Sequence, residues 1–266
     1  MAANLRQRLG TGPLLLLTDY DGTLSELSPT PEQAVLATDV RQEMERVAAL
    51  PSVTFGVVSG RRLSDVLERV GPAAAFGAGL HGLEICGPGC AFHHHALETV
   101  HAVIASLAAS AAREMTRFPG VYIENKVYAL TCHVRLVPNE LAAPALETFA
   151  TLAQPYLESL ILKSLIGTKA LELLPNVDWH KGRAVTWIRS RVEERLDTAV
   201  PVVYLGDDRT DEDAFGGLTD GDVAIGVGDR PHTALIDWRL AGPSSVGRLF
   251  RHLTRLRSDG PPHPAR

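Results

Sequence analysis

The residues best placed to do chemistry are Asp19 and Asp21, one residue apart in the stretch Asp19-Tyr20-Asp21-Gly22-Thr23. They follow Leu14 to Thr18, which reads as a short, fully buried strand, and Gly22 frees the backbone to turn. Carboxylates at a strand end can attack as a nucleophile, exchange a proton or hold a hard cation. Three later stretches offer complementary groups. Val57-Val58-Ser59-Gly60-Arg61 ends a second apolar strand in a hydroxyl, a glycine and an arginine. His180-Lys181-Gly182 places a lysine at a helix start, and the run from Val202 ends in Gly206-Asp207-Asp208, followed by Thr210 and Asp211. Each also has a purely structural use. Ser59 can cap the helix carrying Leu63, Lys181 can be a surface lysine, and Asp211 and Asp213 can be first-turn helix charges.

The elements that must position these groups alternate in period. Val40, Met44 and Val47 recur at helical spacing before Pro51, and Val53 to Val58 is a strand. Leu63, Val66, Leu67 and Val70 form a helical stripe stopped by Gly71-Pro72, and Ala75 to Gly79 is a strand leading into Leu80-His81-Gly82-Leu83-Glu84. This alternation predicts a parallel sheet with right-handed crossovers, whose ligands sit outside the carboxyl ends of the strands. The middle differs. Gly87-Pro88-Gly89 reads as a linker, His94 to Phe118 as a helix, and Val121 to Val137 alternates. Val127, Ala129, Thr131, His133 and Arg135 fall on its more polar face. A second helix runs from Pro138-Asn139-Glu140 to about residue 157, then a hairpin turns at Gly167-Thr168. This is an inserted α+β unit with an antiparallel sheet whose polar face is free to look at a ligand. From Pro175 the first pattern returns, with a helix from Lys181, strands at Val202 and Val223, and a last helix. That helix turns Val246, Leu249, Phe250 and Leu253 inward and Arg248, Arg251 and Arg255 outward, as a solvated face.

The 266 residues suffice for one large domain or two modest ones, and 45% hydrophobic with 21% charged content is ordinary for a soluble globular protein. A net charge of -5 argues against a nucleic-acid or acidic-membrane partner. No apolar run approaches a membrane span and no signal peptide is evident. The three cysteines fit a reducing, cytoplasmic setting. Cys86, Cys90 and the run His93 to His95 carry zinc-ligand types, but a loop leading into a helix explains them. The Pro-rich stretch 258–266 is expected to be a disordered tail.

Taken jointly and in this order, the strand-end groups resemble the four motifs of the haloacid dehalogenase-like (HAD) phosphatases. DYDGTL, VSGRR, AGLHGLE, IENKVYALTCHVR, LELLP, HKG and YLGDDRTDEDAF resemble more closely the trehalose-6-phosphate phosphatases, over about Leu14 to Leu240. The resemblance implies an α/β fold: a HAD-type, Rossmann-like parallel-sheet core at 1–86 and 176–266, with an inserted α+β, C2-type cap at 87–175 that reads the sugar. It implies Mg²⁺-dependent hydrolysis of trehalose 6-phosphate, a small-molecule sugar phosphate, to trehalose and phosphate, the last step of trehalose biosynthesis. Asp19 is then the nucleophile that forms an aspartyl-phosphate, and Asp21 the general acid and base. Ser59 and Lys181 hold the other phosphoryl oxygens. Asp19, Asp207 and the Asp21 carbonyl hold Mg²⁺, while Asp208 and Asp211 orient Lys181 and metal-bound waters. Substrate contacts carried over are Glu124, Asn125, Lys126, His133, Arg135 and Glu172 in the cap and Arg61, His81 and Glu84 in the core.

Two positions depart from the family. A lysine usual four residues before the last-strand glutamate is Thr168 here, with Lys169 following, and in a regular strand Lys169 points away from Glu172 unless a bulge re-aims it. Leu174 stands where a basic residue is common before the proline. Phosphatases for glucosylglycerol phosphate or sucrose phosphate, and a catalytically silent sugar-phosphate sensor, are the alternatives.

Overall fold

The computed structural model describes residues 2–230 and 233–258. The chain divides into two compact units, one formed by the residues up to Leu27, Ala34–Phe92 and those from Trp179 on, the other by Ser28–Gln33 and His93–Asp178.

The first unit opens with helix α1 (Ala2–Leu9), strand β1 (Leu14–Thr18), α2 (Thr38–Ala48), β2 (Val53–Val58), α3 (Leu63–Val70), β3 (Phe76–Gly79), β4 (Glu84–Gly87) and β5 (Cys90–His93). The second unit holds α4 (Ala96–Glu114), β6 (Tyr122–Asn125), β7 (Leu130–His133), α5 (Asn139–Glu158), β8 (Leu162–Gly167) and β9 (Ala170–Pro175). The first resumes with α6 (Lys181–Leu196), β10 (Val202–Gly206), α7 (Arg209–Gly216), β11 (Val223–Val227), β12 (Trp238–Leu240) and α8 (Pro243–Ser258).

The large sheet runs β12-β11-β10-β1-β2-β3-β4-β5. Pairing is parallel from β12 through β3, and β4 joins β3 antiparallel. All five residues of β1 are buried because both faces of the sheet are covered. Leu14 and Leu16 pack with α2, α3 and α8, and Leu15 and Leu17 with α6 and α7. From β1 the chain builds the sheet one way through β2 and β3, and later the other way through β10 and β11. The carboxyl ends of β1, β2 and β10 therefore lie side by side at a topological switch point, where an open α/β sheet has its crevice.

The second unit is a four-stranded antiparallel sheet, β6-β7-β9-β8. Leu130, Cys132, Leu171 and Leu173 on its apolar face pack against Ile104, Leu107, Ala145 and Phe149 of α4 and α5. The helix–hairpin–helix–hairpin order is the one its periodicity predicts.

Two local expectations change, and two short elements are added that periodicity does not reveal. Gly87-Pro88-Gly89 is the tip of the β4–β5 hairpin rather than a linker, so the large sheet runs on past residue 86 and the second unit takes up at His93. The β8–β9 turn is Thr168-Lys169, one residue later than expected, since Gly167 pairs with Ala170 and Lys169 takes a φ of 59°. The helix α1, carrying Leu5 and Leu9 into the core, and the three-residue β12 are too short for a periodic signal. The tail expected at 258–266 lies, beyond Ser258 at the end of α8, outside the described residues. Among the described residues no helix is long and apolar enough to cross a membrane.

Candidate active site

Asp19, Ser59 and Asp207 immediately follow β1, β2 and β10, so pairing of those three strands brings them together. Asp19 N–H donates to the Leu205 carbonyl at 2.8 Å, continuing the ladder one residue beyond β1. Lys181, the first residue of α6, is buried. Its Nζ lies 2.9 Å from Asp19 Oδ1 and 2.7 Å from Asp211 Oδ1, which excludes a surface lysine. Asp211 is fully buried and saturated. Its Oδ1 also accepts from Tyr204 OH at 2.7 Å, and its Oδ2 from the backbone N–H of Asp207 and Asp208 at 3.1 Å each. Asp211 thus fixes the lysine, the loop and the start of α7 together. Asp208 caps α7, accepting from Arg209 N–H, and of these two aspartates it is Asp211 that holds Lys181.

Ser59 does not cap α3, whose N-cap is Arg62. Its buried Oγ accepts from Arg61 N–H at 3.2 Å. Arg61, expected near the sugar, grips Asp21. Nε donates to Asp21 Oδ2 and Nη2 to Oδ1, both at 2.7 Å, while Nη1 donates to Asp65 at 2.7 Å. The guanidinium also lies 5.2 Å from the Tyr20 ring centroid, and Asp65 is held from its other side by Arg69. Burial alone lowers the guanidinium's proton affinity, but Asp21 and Asp65 raise it further, so the fork stays charged and two-pronged. His81 is buried on a turn where Leu80 and His81 take φ of 50° and 58°. Hydrogen bonds from Leu80 N–H to the Arg61 carbonyl and from His81 N–H to the Ser59 carbonyl hold that conformation, which ordinary residues avoid. Glu84 begins β4, paired with Gly79.

Burial dominates the electrostatics. It pushes the Asp19 carboxyl up to about 7, with Lys181 pulling down and Asp211 and Asp21 adding to the rise. Asp207 is pushed up to about 9 by burial and then by Asp19 and Asp211. Burial opposes the charge on Lys181, yet Asp19 and Asp211 raise its affinity for the proton well above the ordinary value. Oxygens of Asp19, Asp207 and Asp211 lie within 4.8 Å of one another. An all-oxygen set of crowded, desolvated carboxylates suits a hard divalent cation. Because Asp211 is fully used, Asp19 and Asp207 are the carboxylates left to hold it. Among the described residues Cys86, Cys90 and His93 to His95 form no such cluster, and His94 instead accepts from Ala96 N–H at 3.2 Å.

Gly22 makes the crowding possible. Its φ is 79°, and a Cβ there would sit 2.0 Å from Asp207 Oδ2. Gly22→Ala is expected to displace Asp207 and lower kcat by roughly 10²-fold, with a measurable drop in melting temperature. Unchanged kinetics would show that the β1 loop tolerates displacement.

The second unit assembles most of its expected residues on one sheet face. Glu124, Thr131 and Glu172 stand directly opposite one another on β6, β7 and β9. Lys126 Nζ lies 2.8 Å from Glu172 Oε1 and 3.9 Å from Glu124 Oε2, and His133 Nε2 lies 2.8 Å from Glu124 Oε2. Asn125 stands apart, exposed, with its Oδ1 accepting from Val127 N–H at 2.9 Å to shape the β6–β7 turn. Arg135 donates to the Ser28 carbonyl. Lys169 sits in the turn and reaches Asn139 Oδ1 at 3.0 Å, so no bulge re-aims it, and Lys126 supplies the cation at Glu172. The Thr131 hydroxyl, which the alternation places only on the more polar strand face, is buried between the two glutamates in register, a place that only pairing across three strands reveals.

Residues 17–233 match the sequence model of the trehalose-phosphatase family. The chain belongs to that family. It is 32% identical over 249 residues to the trehalose-phosphate phosphatase of Mycobacterium tuberculosis, an alignment covering 91% of this chain and 62% of the relative, so it spans less than two thirds of that relative's length. Its fold is that of the Candida albicans trehalose-6-phosphate phosphatase C-terminal domain (TM-score 0.78, 20% identity, 95% of this chain and 98% of that one). It is also that of a haloacid dehalogenase-like hydrolase from Bacteroides thetaiotaomicron (TM-score 0.62, 13% identity, 92% and 99%). Family membership accords with the α/β, HAD-type architecture above.

Proposed function

We propose that the chain hydrolyses trehalose 6-phosphate to trehalose and phosphate with Mg²⁺ through an aspartyl-phosphate on Asp19. The observation that carries this reading is the Lys181 bridge between Asp19 and Asp211 beside Asp207. Phosphoryl transfer needs an in-line nucleophile under strong positive cover. Asp19 attacks phosphorus, the bond to the sugar oxygen breaks, and Asp21 protonates the departing oxygen. Asp21 then takes a proton from water, which attacks phosphorus and breaks the bond to Asp19. Lys181 and Ser59 hold the oxygens that are not attacked. Asp19, Asp207 and the Asp21 carbonyl would hold Mg²⁺, which when bound would supply positive charge between the two anions. Both Asp21 carboxylate oxygens accept from the Arg61 fork, so Asp21 must leave that fork before it can donate to the leaving oxygen.

The polar face of the second unit reads the glycosyl part. Glu124, Lys126, His133 and Glu172 offer acceptors and donors to sugar hydroxyls, and buried polar groups left unpaired by a wrong sugar discriminate strongly. Glu172→Gln is expected to raise KM about 10-fold or more with a smaller change in kcat. An unchanged KM would remove this face from recognition. The test of the whole reading is phosphate release from trehalose 6-phosphate, sucrose 6-phosphate, glucosylglycerol phosphate and glucose 6-phosphate, each with and without Mg²⁺. Preference for trehalose 6-phosphate supports it. Preference for another ester reassigns the substrate, and no release from any of them makes the chain a silent sensor.

A further inference from the structure

At the carboxyl end of β12 the sheet meets the first half of α8, and a cavity of about 390 Å³ opens there. This falls within the size range of small-molecule sites. It lies three strands from β1 in the sheet order, roughly 14 Å at the usual strand spacing, and shares no lining residue with the catalytic cluster. Like that cluster, it occupies the edge where α/β sheets take ligands. Leu240, Ala241 and Leu249 form an apolar wall, and Arg239, Arg248, His252 and Ser245 supply the polar groups. Among the described residues no acidic one lines it, although the chain as a whole carries a net charge of -5.

The cations are set in place. Arg239 Nη1 donates to the carbonyls of Gly228 and Arg230 at 2.8 and 3.0 Å. Arg248 Nη2 donates to the buried Ser245 Oγ at 2.6 Å, and that hydrogen bond uses one of the five N–H groups of its guanidinium. Other arginines of α8 are engaged within the fold, Arg251 with Glu43 and Arg257 with the Gly12 carbonyl, whereas Arg248 meets no carboxylate among the described residues. Nε2 of His252 has no hydrogen-bond partner among the described residues.

We propose that this cavity is a second anion site, for a small soluble organic phosphate or sulfonate whose apolar part lies on Leu240 and Leu249. The planar Arg248 fork suits a tetrahedral oxyanion better than a point charge does.

The experiment titrates the full chain with phenylphosphonate, which carries no ester bond to hydrolyse, and follows the His252 ring resonances by NMR. A saturable shift with a Kd on the order of 1 mM or tighter, present in wild type and in Asp19→Asn, is expected. Arg248→Ala should weaken it at least 10-fold, and Arg248→Lys should recover part of the loss. Phosphate release by Arg248→Ala should stay at the wild-type rate, so the outcome stands apart from the phosphatase reading. Absence of a saturable His252 shift, or a shift of equal affinity in correctly folded Arg248→Ala, overturns the site.

Discussion

Asp19→Asn is expected to abolish phosphate release, lowering kcat by about 10⁴-fold or more, while the sugar phosphate still binds. The side chain keeps its shape, so Lys181 and Asp207 lose only a charged neighbour. An amide cannot form the aspartyl-phosphate, which is why the effect falls on kcat. Binding is read by isothermal titration with trehalose 6-phosphate, turnover by released phosphate. Appreciable turnover in this variant would remove Asp19 as the nucleophile. Lost binding together with a lowered melting temperature would show that the carboxylate is structural.

Asp207→Asn is expected to split stability from activity. In the folded chain the carboxyls of Asp19 and Asp207 are pushed up to about 7 and about 9, against an ordinary value of 3.8. A raised folded-state pKa means that the folded chain holds protons the unfolded chain has released. These two carboxyls should therefore cost cation-free wild type stability as pH rises from about 4 to about 9, with nothing further lost from them above that window. The amide of the Asp207→Asn variant has no charge to bury, so the variant should melt higher than wild type in chelator at pH 8 and show a flatter pH profile. With Mg²⁺ the order reverses. At 100 times its Kd a cation that binds only the folded chain stabilises wild type by about 2.7 kcal/mol, several degrees for a protein of this size. The variant should gain little, and its phosphate release should fall by roughly 10³-fold. Melting curves in EDTA and in Mg²⁺ across that pH range decide the matter. A variant that is Mg²⁺-stabilised and active like wild type would take Asp207 out of the cation site.

Reading residues in order recovers much of this site because its parts are local. A run as apolar as Leu14 to Leu17 or Val202 to Leu205 occurs where both faces are covered, and that marks a central parallel strand. The residues just after such strands fall at the carboxyl edge, so Asp19, Ser59 and Asp207 are located before any packing is known. The β4–β5 hairpin escaped because Gly87-Pro88-Gly89 punctuates a linker and a tight turn alike. The β8–β9 turn slipped by one residue because Gly167, Thr168 and Lys169 all tolerate a turn, and pairing with a distant strand selects the register.

Side-chain partners form the other class, because they depend on segments far apart in the chain. That Asp211 and not Asp208 holds Lys181 follows from how α7 is capped against β10. That Arg61 grips Asp21, 40 residues before it, follows from β1 and β2 lying side by side. Asn125 and Lys169 carry ligand-like chemistry, yet the turns they occupy hold Asn125 on Val127 and Lys169 on Asn139. The sequence alone determined which groups stand at the strand ends, since period and composition are properties of short stretches. Only the tertiary structure decided which of those groups touch, because contacts between segments far apart in the chain are set by strand register and helix packing, which no short stretch contains.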